Sequence, residues 1–469
     1  MKKIILTAML ALAMCFAFAA CGEEEAVNEE TTNEEAMTIE VTPGEETVLE
    51  DGVYGALELD ASMSGTDGSP TVIRAADGAN PVIKVAPGEF QSGEEDELPP
   101  SYGIHLVNVH DVVIDGITVE GGTHGIIYES TPEQGEEPLT NITIKDCSVT
   151  GVVGAHGICV YAENDLAPVQ DILVTGCEVS GCKCGDSESL VLNGNIDGFM
   201  IRGNRIHDNN NIGIDMIGFE GTAKHKKDSG FDNLYDADMA RNGLCFDNIV
   251  YNISADGNPA YFEDGKYDLC ADGIYVDGGQ NIEIYGNFVY NCDIGIEIAT
   301  EHSPDDNPLF RVSGVRVHDN VVADCQGWCG LCFGGYDADL GFTEDCEFYN
   351  NTFVDNGTQI GVQRSKGNNI HDNLFVGGDS AIEFNYDCAQ EDLINNYGRN
   401  VWCLEEGTLE DMIDVGDYDL SVLIPAGNMA LQEVVNSRDD VLDGLKSKIN
   451  GVGSTVIPDD SEIELWREE

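Results

Sequence analysis

The chain has 469 residues, with 87 Asp or Glu against 22 Lys or Arg, for a formal net charge of −65. Such a surface repels nucleic acid and other polyanions at long range, so no nucleic-acid partner is expected; divalent cations and neutral partners are favoured. Its 42% hydrophobic content, with 54 Gly and only 14 Pro, is enough to bury a large core and excludes a disordered protein.

Lys2 and Lys3 precede an apolar run over residues 4–20 that ends in small residues before Cys21. This is the pattern of a signal peptide occupying residues 1–20. The stretch Phe18-Ala19-Ala20-Cys21-Gly22 resembles a bacterial lipobox, with Phe18 bulkier than the usual Leu. The resemblance implies cleavage before Cys21, lipidation of its thiol, and a protein held at the extracellular face of the cell membrane. Residues 21–37 are acidic and lack apolar periodicity, so they form a solvated tether. No later stretch is long and apolar enough to span a bilayer. Apart from Cys15 and Cys21, 14 cysteines remain, and their spacing fits stacked structural thiols or disulfides better than a zinc site.

From about residue 104 to 386 one pattern recurs at intervals of 22 to 44 residues. Alternating apolar residues lead to a small or amide residue, then a second short strand, then a Gly that opens a third. The turn column runs Gly116, Cys147, Cys177, Asn204, Asn248, Asn287, Asn320, Asn351, Asn373. Period-2 alternation dominates, with no 3.6-residue rhythm, so short strands stack in parallel on successive coils. Equivalent residues then lie about 4.8 Å apart, and repeated amides can hydrogen-bond up their column.

These features resemble the pectate-lyase-like superfamily of carbohydrate-active proteins. The resemblance implies an all-β fold, a right-handed parallel β-helix over residues 38–390, with an N-terminal cap and first coils in residues 38–100. Residues 391–469 lose the repeat and read as an irregular C-terminal cap with a helix-like stretch at 429–449. The superfamily includes lyases, hydrolases, epimerases and binding proteins, so its fold leaves function open.

The third strand opens at Gly125, Gly157, Gly213, Gly273, Gly295, Gly330, Gly361 and Ala381, and Ile126, Ile158, Ile214, Ile274, Ile296, Leu331, Val362 and Ile382 face inward. The next residues must face outward: Ile127, Cys159, Asp215, Tyr275, Glu297, Cys332, Gln363, Glu383. Two further on stand Glu129, Tyr161, Ile217, Asp277, Ala299, Gly334, Ser365, Asn385. Asp215, Asp277 and Glu297 thus gather on three neighbouring coils. Asp277 lies roughly 8 Å from each of the others at the backbone, and Asp215 roughly 9–10 Å from Glu297. Carboxyls separated by about 6.5–9.5 Å suit a glycosidase that activates water on one side and protonates the leaving oxygen on the other. These three are the candidate catalytic residues. Tyr275, Glu220, Asp272, Glu301 and His302 surround them as candidate sugar-binding residues. Loops 218–242 and 254–271 bring Phe219, Phe231, Tyr235, Tyr261, Phe262 and Tyr267 beside the strands as walls of a cleft. The run Lys224-His225-Lys226-Lys227 is either a solvated loop tip or a clamp for an acidic sugar.

Family 9 pectate lyases are similar around residues 207–215, where the resemblance implies calcium held at Asp215 by a pair of Asp just before the Gly. Asn211 and Ile212 occupy the paired positions here, and no Lys lies on the outward columns. Calcium-and-lysine β-elimination is therefore unsupported at this motif, while the acidic surface suits Ca2+ elsewhere. The expected function is cleavage of a polysaccharide or oligosaccharide by carboxylate-based hydrolysis. A pectate-lyase-type elimination and a non-catalytic glycan binder remain the alternatives.

Overall fold

The computed structural model describes residues 36–88, 99–227, 229–335, 340–385, 387–404, 407–435 and 448–468. The signal peptide, the lipobox with Cys21 and nearly all of the tether lie outside the described residues. Among the described residues no helix is long and apolar enough to cross a membrane.

The described residues build a parallel β-helix. Three long parallel sheets of 12, 13 and 12 strands run along it, each coil giving one strand to each sheet in turn. Inside is a column of Ile, Val and Leu, including Ile126, Ile158, Ile214, Ile274, Ile296 and Leu331, all fully buried. Equivalent residues lie in register from coil to coil, as in Ile274↔Ile296 and Ile296↔Leu331.

One corner carries the amide column that the repeat predicts. Asn204, Asn248, Asn287, Asn320, Asn351 and Asn373 each donate a side-chain N–H to the side-chain oxygen of the next, at 2.9–3.1 Å, ending on Asn400. That same oxygen also accepts the neighbour's backbone N–H, as in Asn287 to Asn320 at 3.0 Å. The remaining amide proton bonds a strand carbonyl of the preceding coil, such as Ile284 for Asn320. The residue before each Asn has positive φ: Gly203, Asp247, Gly286, Asp319, Asn350 and Asp372. Gly, Asn and Asp tolerate that conformation, so the corner is written as one of them followed by Asn. Gly116 belongs to this positive-φ column, and Ile117 takes the turn position one residue later.

Three further differences from the sequence reading follow from side-chain chemistry. The strand Leu190–Gly194 is a coil without an opening Gly; Ser189 starts it, and it inserts Val191 and Asn193 between Cys159 and Asp215 and between Tyr161 and Ile217. Near the far end Ile360 and Gly361 occupy the columns assigned to Val362 and Gln363, because the coil opens at Gln359. Its buried amide bonds the Val376 and Gly377 carbonyls.

The ladders also continue beyond residue 390, through Ile413–Asp414 and Gln432–Val435, so part of the stretch expected to be helical is strand. Residues 448–468 then fold back outside the second sheet. Gly453 N–H bonds the Asp372 carbonyl, Ser454 N–H the Thr352 hydroxyl, and Thr455 the Asp319 carboxylate. The helix Asp460–Glu468 sets Ile463 and Trp466 against Phe288, Tyr290 and Val321, and Glu462 pairs with Arg205. This segment straps the side of the solenoid instead of plugging its end. Among the described residues no cysteine is in a disulfide. Cys147 lies against Cys177 and Cys292 against Cys325, each pair joined by a thiol hydrogen bond.

Asn320→Ala should destabilise the protein by about 2–4 kcal/mol in chemical denaturation, since it leaves several buried donors and acceptors unpaired. Asn369→Ala, on the exposed face of the same coils, should change stability by less than about 0.5 kcal/mol.

Candidate functional site

Sequence periodicity sets which residues face out from the third sheet, and the ladder register sets which of them are neighbours. Asp215 pairs with Tyr275, and Tyr275 with Glu297, on the strands Ile214–Ile217, Asp272–Asp277 and Ile294–Ala299. Asp277 lies two residues beyond Tyr275 on the middle coil. The three expected carboxylates and Tyr275 therefore share one patch, at the relative positions that the alternation predicts.

Their environment differs from the expectation of solvated, outward carboxylates. Asp215 is only 2% exposed, Asp272 2% and Asp277 6%, and Tyr275 is buried as well. Covering loops cause this. Tyr261 of loop 254–271 accepts a hydrogen bond from Asn211 at 3.2 Å, and Asn258 ties the same loop to the Gly185 and Asn210 carbonyls. On the other flank Phe219, Met239 and Phe310 pack as a small separate core with Tyr235 and Leu309. Asn233 and Asn307 bond each other reciprocally at 2.8 and 3.0 Å. The basic run is drawn into this wall: His225 is buried between Asp165 and Asp236, and Lys224 sits over the Tyr235 ring.

Burial places the acids in one electrostatic unit. Asp272 and Glu297 are hydrogen-bonded, which requires one of the two carboxyls to hold a proton. Burial and the adjacent Glu297 drive Asp272 far above the usual carboxylate range, so it is the donor. Burial also raises Glu297, from 4.5 to about 7, partly offset by hydrogen bonds from Asp272 and the Cys332 thiol. Asp215 is raised by burial and then by Glu188 and Asp277. Asp277 is raised by burial and by Glu301 and Glu220, against bonds from the Glu301 N–H at 3.3 Å and the Thr300 hydroxyl. Glu220 and His302, both proposed for sugar, bond each other at 2.8 Å, which raises the imidazole. Glu301 is raised by burial and by Glu220.

Glu188 was missed because it lies on the coil that lacks an opening Gly. It pairs with His156 at 3.1 Å and acts on Asp215. From there the polar face continues through His124, whose ring lies 5.3 Å from His156, to Tyr102 and His105, stacked at 4.3 Å. Burial, reinforced by His156 and His105, lowers His124 to about 3, so it stays neutral. Tyr102, His124, His156 and Glu188 precede the strand openings, outside the columns that alternation reads, whereas His105 lies on the outward column beside Ile127.

Among the described residues no group of three or more His, Cys, Asp or Glu side chains is placed to hold a metal.

The family model described as periplasmic copper-binding protein (NosD) matches residues 235–401. The uncharacterized protein YwoF of Bacillus subtilis (strain 168) is 34% identical over 379 residues, covering 76% of this chain and 73% of its own length. Among solved structures, the GH136 lacto-N-biosidase from Eubacterium ramulus has a TM-score of 0.49 at 13% identity, covering 80% of this chain and 62% of that chain. The chain therefore spans less than two thirds of that enzyme's length. The mannuronan C-5 epimerase AlgE4 A-module of Azotobacter vinelandii gives 0.42 at 12% identity, over 88% of this chain and 91% of that chain. Pectate lyase Pel9A gives 0.39 at 13%, over 73% and 69%. At these identities and TM-scores below 0.5, the likenesses bear on no residue of the site.

The raised carboxyls fix a sign for pH dependence. The folded state binds the Glu297 proton more tightly than the unfolded chain does, so the stability it contributes is full below about 4.5 and is lost as pH rises through about 7. The melting temperature should fall across that window, and Glu297→Gln should flatten the fall; an equal fall in the variant would locate its cause in other groups.

Proposed function

The chain belongs to the same family as Bacillus subtilis YwoF, a NosD-like parallel β-helix family, and from that premise we propose that it is a glycosidase cleaving a polysaccharide or oligosaccharide by carboxylate-based hydrolysis. The observation that carries this reading is the proton-sharing pair Asp272–Glu297, set beside Asp215 and Asp277 on the walled face. Glu297 is half-buried at the groove, and a carboxyl held near 7 can be protonated at neutral pH and still release its proton.

In this reading Glu297 donates its proton to the glycosidic oxygen as the bond to the anomeric carbon breaks, and the bonding electrons leave with that oxygen. Asp277 takes the proton of the attacking water in its ionised form, which the Glu301 N–H and Thr300 hydroxyl support against the burial, Glu301 and Glu220 that raise it. Asp272 acts through Glu297 as a positioning residue, holding it with a hydrogen bond. Asp215 and Tyr275 line the floor between them. After burial, the charged neighbours acting on these acids are carboxyls, with no lysine or arginine among them, which weighs against an elimination that needs a lysine base. We further infer that the protein works outside the cell, lipid-anchored through Cys21.

A screen over a polysaccharide panel tests the reading. Hydrolysis gives new reducing ends without the ultraviolet-absorbing unsaturated product of a lyase, and binding with neither product would leave a non-catalytic glycan binder. On a substrate that is cleaved, Asp277→Asn and Glu297→Gln should each lower turnover by at least about a hundredfold. The rate should fall as pH rises through about 7, where Glu297 loses its proton. Full activity in both variants would move the chemistry to Asp215 and Glu301. Cys21→Ser should shift the protein from the membrane fraction to the medium without unfolding it; unchanged fractionation would refute the anchor.

A further inference from the structure

Three acceptor atoms on the walled face have no donor. Asp215 Oδ1 and Asp272 Oδ1 are buried and unpartnered, on side chains 2% exposed. Asn211 Oδ1 is also buried and unpartnered, while its amide nitrogen bonds the Ser187 carbonyl and Tyr261 hydroxyl, which fixes the oxygen's orientation. Buried acceptors are rarely left unsatisfied: Asn211 Oδ1 wants a hydrogen, and Asp215 and Asp272, which burial drives toward the protonated form, gain donors when a cation displaces that proton. Around them stand seven carboxyls, Glu188, Asp215, Glu220, Asp272, Asp277, Glu297 and Glu301. Among the described residues the cationic partners in their ion pairs are His156 and His302. What completes such a face is a ligand that brings several N–H donors and a positive charge.

Resting on the glycosidase reading, we propose that the groove takes a glycan bearing protonated primary amines, with an ammonium group seated among Asp215, Asp272 and Asn211. An ammonium offers three donors and no acceptor, which matches three orphaned oxygens. It also fits where a metal ion does not: it accepts looser geometry, and no group of metal-ligating side chains is placed as a cage among the described residues. A uronate would instead set another carboxylate beside the cluster. An N-acetylated sugar would offer one amide N–H and no charge. Charge-assisted hydrogen bonds are also roughly twice as strong as neutral ones, so the charge itself discriminates between ligands of equal shape.

The test is calorimetric binding of the full chain, at mildly acidic pH, to three oligosaccharides of equal length: a glucosamine oligomer, its N-acetylated counterpart and oligogalacturonate. The glucosamine oligomer should bind at least about tenfold more tightly than the N-acetylated one. Oligogalacturonate should bind weakest, and added salt should shrink the preference. Asp215→Asn and Asp272→Asn should each abolish the preference, with an unchanged circular dichroism spectrum reporting that the variant is folded. Equal or tighter binding of the N-acetylated oligomer or of oligogalacturonate overturns the proposal, as does failure of the glucosamine oligomer to bind. Amine preference without release of reducing ends keeps this inference and removes the hydrolase reading. Reducing ends released from oligogalacturonate do the reverse.

Discussion

Buried amides at one corner hold the coils in step. Each Asn of the column receives two hydrogen bonds from one neighbour, donates to the next and caps a strand carbonyl, so a slip by one residue breaks all of them together. The positive-φ residue in front sets the chain's exit direction, and Gly, Asp or Asn there costs little. In a solenoid whose coils touch only their neighbours, such a column is what converts local strand preference into long-range register.

Everything at the polar face depends on that register. A shift of one residue would turn Asp215, Tyr275 and Glu297 into the core and expose the isoleucines. With the register fixed, three coils deliver carboxyls at strand spacing, and the insertions between coils close over them. The loops and the strands divide the work: strands set relative position, and loops set dielectric.

Burying so many like-charged groups costs stability, and the protein lowers that cost by sharing protons. Asp272 stays protonated against Glu297, and Glu297 gains further donors from Cys332. The unfavourable charge is concentrated on the third sheet. The second sheet carries the C-terminal strap, whose Trp466 and Ile463 cover apolar residues of its outer face. One side of the solenoid is closed by hydrophobic contact, and another is left polar under loops.

The sequence by itself determined the coil, the inward column and the neighbourhood of Asp215, Asp277 and Glu297. Those follow from period-2 alternation and from repeated Asn and Gly, which are local signals. It misjudged the coil started by Ser189 and the one started by Gln359, because in both a side chain other than Gly begins the strand. Hence Glu188 went unseen. The proton shared by Asp272 and Glu297, the bond between Glu220 and His302, and the burial of Asp215, Asp272 and Asp277 were decided by tertiary structure alone. Side-chain direction along a strand is a property of the strand, whereas burial and protonation depend on which distant loop lies above it, and no spacing within the strand encodes that.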